Sequence, residues 1–114
     1  TKERLKVAHQ TYSSSTKEAR ILRAYAGDYV KQLRIEAGMT QRDLAEKLEL
    51  KHYTFISQLE CGQGRLPPNL TVKTAQALGQ DVSEFALKML SFYDPHTHTA
   101  ITYNEREKHE GNSK

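Results

Sequence analysis

The fold is decided by residues 40–62, TQRDLAEKLELKHYTFISQLECG. Apolar residues recur in this stretch at three- and four-residue steps, first around Leu44 and again around Ile56 and Leu59, as in two short amphipathic helices. Two helices that cross steeply need a small residue where they meet, and Ala45 supplies it. The second helix can then project from the body of the protein, and a rod of that width fits the major groove of duplex DNA.

Apolar residues with helical spacing also precede this stretch. This spacing predicts a long first helix, which Ser15 or Thr16 caps and Gly38 ends. Within it, Gly27 either splits the helix in two or weakens a single one. Thr40 then caps the second helix.

Further helices follow the decisive stretch. Residues 49–52 form a short connector to the third helix, Asn69 caps a fourth that ends at Gly79, and a fifth begins near Ser83 and closes near Tyr93. The sequence has no clear β alternation and no internal repeat, so it predicts an all-α fold with short connections.

Composition divides the chain into three parts. Residues 1–15 are predicted to be a flexible basic arm, residues 16–93 the helical domain, and residues 94–114 a polar, disordered tail. Residues 1–23 carry six basic and two acidic side chains, whereas residues 24–93 carry eight of each sign. The basic excess therefore lies at the N-terminal end, where it suits either a phosphate backbone or a solvated tail.

Several classes of protein are disfavoured by the sequence. No apolar run approaches the roughly 20 residues of a membrane span, and no secretion signal is apparent, so we expect a cytoplasmic, nucleoid-associated protein without membrane contact. The single cysteine, Cys61, has no evident catalytic partner and no disulfide partner, and enzyme motifs are absent. The histidines near His96 lack the spacing of a metal site. We therefore expect no enzyme activity, cofactor or metal.

The decisive stretch resembles the Xre family, the Cro/C1-type helix-turn-helix regulators, which include phage repressors and many bacterial regulators. The resemblance extends over about residues 29–90. It is carried by TQxxLA at residues 40–45, ISQLE at residues 56–60, Gly62 after it, and ALGQDVSEF at residues 77–85.

This resemblance implies a five-helix, lambda-repressor-like domain, with residues 40–47 as positioning helix and about residues 53–60 as recognition helix. One feature departs from the family pattern. The turn usually contains glycine and is one residue shorter, whereas Glu49 and the three residues after it include no glycine. We expect the extra residue to relieve the need for a left-handed backbone conformation.

The resemblance also suggests roles for exposed residues of the helix pair. Candidates for reading DNA bases are Tyr53, Thr54 and Gln58, together with His52 and Ser57 on the same face. Candidates for binding phosphates are Gln41, Arg42, Lys51, Arg65 and Asn69, of which Gln41 and Asn69 also suit helix capping. Relatives hold an ion pair at the positions of Arg34 and Glu60, and we expect this pair to be structural.

The predicted function is sequence-specific binding of double-stranded DNA by a homodimeric transcriptional regulator, most often a repressor in this family. The dimer contact is expected at the apolar residues around Tyr93 and Ile101 (Phe92, Tyr93, Ala100, Ile101 and Tyr103) rather than around Ile21, Leu22 and Tyr25. One alternative is an antitoxin that binds a toxin and represses its own operon. Another is an adaptor that has kept the fold and lost DNA binding.

Overall fold

The computed structural model describes the backbone of residues 16–112 and the side chains of residues 16–104. The predicted arm at residues 1–15 lies outside the described residues. Within residues 16–112 all regular structure is helical, which confirms the predicted fold class. The helices are α1 (Lys17–Glu36), α2 (Gln41–Lys47), α3 (Thr54–Glu60), α4 (Thr71–Ala77), α5 (Val82–Tyr93) and α6 (Pro95–Asn112), with a 3₁₀ turn (Pro68–Leu70) before α4.

Helix α1 is continuous through Gly27, so of the two alternatives left by the sequence the single helix is the one observed. Its N-terminus is capped by Thr16, whose Oγ1 accepts a hydrogen bond of 3.1 Å from the Ala19 N–H. Gly27 faces α3, where an added Cβ would lie 2.3 Å from the carbonyl oxygen of Leu59 and 2.6 Å from that of Glu60. The glycine therefore allows two helices to approach closely.

Helix α2 begins with a capping box. Thr40 Oγ1 accepts a hydrogen bond of 3.0 Å from the Asp43 N–H, and Asp43 Oδ2 accepts one of 2.9 Å from the Thr40 N–H. The bond from the Thr40 backbone is the larger cause that holds the pKa of Asp43 below its usual value. This reciprocal pair fixes the start of the positioning helix at Gln41.

The turn after α2 corrects one prediction. Glu49 adopts a left-handed conformation with φ of 59°, so the longer turn does not avoid that conformation. The Glu49 N–H donates to the Glu46 carbonyl at 3.0 Å and the Leu50 N–H to the Ala45 carbonyl at 2.9 Å, the two bonds of a Schellman motif. The helix therefore ends in a left-handed residue, at a position where glycine is the usual choice.

This left-handed glutamate gives a stability prediction. Glu49→Gly is expected to raise the free energy of unfolding by about 0.5–1 kcal/mol, because relief of the left-handed strain exceeds the added freedom of glycine in the unfolded chain. The exposed ion pair of Glu49 with Lys73 (3.1 Å) is lost but contributes little. Urea denaturation measures the difference. Glu46→Gly, within α2, is the control and should lower stability by about 1 kcal/mol; a loss in both variants would contradict the prediction.

Two further predictions of secondary structure are wrong. Asn69 does not cap a helix, because it lies within the 3₁₀ turn and α4 begins two residues later with Leu70 at its N-cap and no side-chain cap. The segment after Asp94 is helical rather than a disordered tail. Asp94 Oδ1 accepts a hydrogen bond of 3.1 Å from the Thr97 N–H, and Pro95 takes the first helical position, where a missing N–H costs nothing.

The core lies between α1, α2, α3, α4 and α5, and α6 is packed on α5. Its largest fully buried side chains are Phe85, Leu44, Ile56, Leu59, Val30 and Thr74. This arrangement buries one side of α3 and leaves its other side at the surface. No helix in the described part of the chain has the length and apolar character needed to cross a membrane.

Candidate nucleic-acid interface

Helix α3 has one buried and one exposed side. Ile56 and Leu59 point into the core, with exposed fractions of 0% and 1%. Thr54 and Gln58 are exposed on the opposite side. Tyr53 stands at the N-cap and is 41% exposed. The helix begins at Thr54, which locates its start within one residue of the predicted position.

The structure brings together most of the predicted base-reading residues. His52, Tyr53, Thr54 and Gln58 are exposed on one surface, and Ser57 is partly buried beside them. The surface carries hydroxyl, amide, imidazole and phenol groups, which can donate and accept hydrogen bonds at base edges. We call the surface formed by these five residues the α3 outer face.

Arg42 joins the positioning helix to this face. Its guanidinium lies 4.9 Å from the centroid of the Tyr53 ring, a cation–π arrangement. An open groove of about 420 Å³ runs beside this contact and is lined by Arg42, Lys51, His52 and Tyr53 among others. Four basic or aromatic candidates therefore share one edge of the α3 outer face.

Arg34 and Glu60 form a buried, bidentate ion pair. Arg34 Nε lies 2.7 Å from Glu60 Oε2, and Arg34 Nη2 donates to Glu60 Oε1 at 3.0 Å. Arg34 Nη1 also donates to the Met39 carbonyl at 2.7 Å. The hydrogen bonds to Glu60 are the largest cause of the raised pKa of Arg34. The pair ties α1 to the C-terminal end of α3.

Gln41 belongs to this buried network. Its Nε2 donates to Glu60 Oε1 at 3.0 Å, so its side-chain amide is directed at the carboxylate rather than outward. The sequence suggested a phosphate contact or a cap for this residue and missed the link to Glu60. Nothing in the local sequence signals a contact across nineteen residues; only the crossing of α2 and α3 creates it.

The remaining phosphate candidates flank α3 at its two ends. Lys51 is exposed in the turn before α3, and Arg65 and Asn69 are exposed after it. The Arg65 guanidinium lies 4.6 Å from the centroid of the Tyr93 ring. Sequence reasoning assigned Tyr93 only to a dimer contact and missed its place beside Arg65. The described residues contain no cluster of three side chains able to hold a metal ion.

Comparison with known proteins points to one family. Residues 19–87 match the family model described as "Helix-turn-helix domain". Among solved structures, the chain is similar to the clp gene regulator ClgR from C. glutamicum, with 26% sequence identity, a TM-score of 0.53, and coverage of 63% of this chain and 91% of that chain. No curated protein matches the chain. Neither match is to an enzyme.

Proposed function

The chain belongs to the helix-turn-helix domain family and is a DNA-binding transcriptional regulator, and from this premise we propose that it is a homodimeric repressor that reads specific sequences of duplex DNA with α3. The family match and the resemblance to the Xre regulators agree. The observation that carries the proposal is the α3 outer face: a polar surface on a helix whose opposite side is anchored in the core.

Base reading is assigned to the middle and start of α3. Gln58 can pair with adenine through two hydrogen bonds in the major groove. Thr54, one turn earlier on the same side, can bond a base edge or pack its methyl group against thymine. Tyr53 stands at the N-cap of α3, with the Arg42 guanidinium 4.9 Å from its ring centroid, where its hydroxyl can reach a base edge or a phosphate.

Phosphate binding is assigned to the residues around this face. Arg42, Lys51 and Arg65 are exposed cations on both sides of α3, as expected for a helix held between two strands of the DNA backbone. Asn69 is exposed beyond Arg65 and is kept as a neutral candidate. For Gln41 we assign the contact to its backbone at the start of α2, since its side chain is bonded to Glu60.

A homodimer follows from the reach of one recognition helix. A seven-residue helix contacts only a few base pairs, and two copies about one turn of DNA apart supply the missing specificity. We place the contact on α6, where Ile101 is 57% and Tyr103 52% exposed. Ile101 also borders an apolar groove of about 480 Å³ between α5, α6 and the loop after α3. The repressor role in this proposal rests on the resemblance to the Xre regulators, which most often repress.

The alternative function suggested by the sequence is that of an antitoxin. It needs a partner surface in residues 1–15 or 94–114, and no observation on the described residues favours a toxin there over a second copy of the chain. A small protein that co-purifies in equal amount and masks α6 would favour the antitoxin. The repressor is expected to act in the cytoplasm, on the nucleoid.

Selection of bound sequences from a random duplex pool tests the proposal. We expect inverted half-sites about 10 base pairs apart, centre to centre. Gln58→Ala should relax base preference at one position in each half-site, with a loss of discrimination of about 1–3 kcal/mol. Arg65→Ala should weaken all sequences alike and reduce the salt slope by about one. Equal effects of the two variants on sequence preference would contradict this division of roles.

A further inference from the structure

We propose that Tyr93 is a positioning residue for DNA binding: it fixes the loop after α3 and thereby holds the Arg65 guanidinium where it can bind phosphate. This inference rests on the proposed function, because the phosphate contact of Arg65 is part of it. Tyr93 itself lies at the end of α5 and is assigned no contact with DNA.

Two contacts join Tyr93 to the loop. The Leu66 N–H donates a hydrogen bond of 3.0 Å to the Tyr93 hydroxyl oxygen, and Leu66 is itself only 5% exposed. The adjacent guanidinium of Arg65 lies 4.6 Å from the centroid of the Tyr93 ring. One aromatic side chain therefore holds the backbone after Arg65 with its hydroxyl and the cation with its ring.

The other end of the loop is held by α3. The N–H groups of Gln63 and Gly64 both donate to the Gln58 carbonyl, at 3.0 and 3.1 Å. Arg65 thus lies between an anchor on the recognition helix and an anchor on α5. Its distance from Gln58, and hence from any base that Gln58 reads, is set by these two anchors together.

The contact with the Tyr93 ring can position the Arg65 guanidinium and still leave it able to bind a phosphate. Burial is the largest cause that raises the pKa of Tyr93, so the hydroxyl remains neutral at neutral pH. A guanidinium over the face of a ring makes no conventional hydrogen bond there, so its N–H donors remain able to donate to a phosphate. Arg65 remains exposed, as this role requires.

Substitution of Tyr93 by Phe or by Leu distinguishes the contact made by its hydroxyl from the contact made by its ring. Tyr93→Phe keeps the ring and removes the acceptor for the Leu66 N–H, whereas Tyr93→Leu removes both. On a duplex from the selected pool, Tyr93→Leu should weaken binding about tenfold for all sequences and lower the salt slope by about one, as Arg65→Ala does. Tyr93→Phe should weaken it less. Base preference should not change in either variant.

A double variant distinguishes positioning from general support of the fold. The double variant Arg65→Ala with Tyr93→Leu should bind no more weakly than Arg65→Ala alone, because the two substitutions remove the same phosphate contact. If Tyr93→Leu fails to fold, Arg65→Ala with Tyr93→Phe answers the same question. Tyr25→Phe, on an exposed tyrosine of α1, is the matched control and should bind as wild type.

The outcomes separate the two proposals. A wild-type salt slope in the folded Tyr93 variants, or an effect that adds fully to that of Arg65→Ala, would overturn the role of Tyr93 and leave the proposed function standing. A wild-type protein that binds no duplex from the pool would instead overturn the proposed function, and the role of Tyr93 with it.

Discussion

Glu60→Gln is expected to lower the free energy of unfolding by about 3–5 kcal/mol, because it leaves a buried guanidinium without its carboxylate. Arg34 and Glu60 are 8% and 7% exposed, so water cannot replace the lost partner. The substitution also places an amide group next to Arg34 and disturbs the bond from Gln41. Because Glu60 ends α3, we expect the recognition helix to be the element that loosens.

Urea denaturation followed by circular dichroism measures this loss. The control is Lys73→Gln, which breaks the exposed ion pair with Glu49, whose side chains are 46% and 79% exposed. An exposed pair contributes at most about 1 kcal/mol, so the control should remain near wild type. A Glu60→Gln variant no less stable than the control would show that the buried pair does not hold α3.

Gly27→Ala is expected to destabilise the protein by about 3 kcal/mol, although alanine is the better helix former in isolation. The added Cβ would lie 2.3 Å from the Leu59 carbonyl oxygen and 2.8 Å from the Glu60 carbonyl carbon. These are backbone atoms, which cannot rotate aside as a side chain can. The helices α1 and α3 must therefore separate, and DNA affinity should fall together with stability.

Thermal unfolding of Gly27→Ala and Gly38→Ala separates the clash from the mere loss of glycine. Gly38 has φ of 72° and no atom within 4 Å of an added Cβ, so alanine there meets strain without a clash and should cost about 1–2 kcal/mol. Gly27→Ala should be the less stable variant and the only one with displaced α3 resonances in an NMR spectrum. A Gly27→Ala protein as stable as wild type would contradict the close approach of α1 and α3.

The helix-turn-helix pair was predictable because its signals are local. Thr40 with Asp43 forms a cap, and Ile56 with Leu59 gives a buried stripe, so each lies within a few residues of its partner. The exposure of Thr54 and Gln58 follows from the same stripe, since they occupy the opposite side of the helix. Their contacts with DNA remain predictions.

What the sequence did not reveal depends on tertiary contacts or on ambiguous signals. The bond from Gln41 to Glu60 and the place of Tyr93 beside Arg65 join residues far apart in the chain. The sequence predicted that regular structure ends near Tyr93, yet Asp94 and Pro95, which follow it, are an N-cap and first-position signal for a helix. The sparse apolar pattern after them gave no periodic evidence for α6.

The most direct test of the account is an interference experiment in the major groove of the selected duplex. Each adenine and guanine in turn is replaced by its 7-deaza analogue, and each thymine by uracil, which changes the major groove and leaves the minor groove intact. We predict that replacement of the adenine that Gln58 reads lowers the affinity of the wild-type protein about tenfold. The same replacement should leave the affinity of the Gln58→Ala variant unchanged. Unchanged binding at every replaced position would show that α3 does not read the major groove.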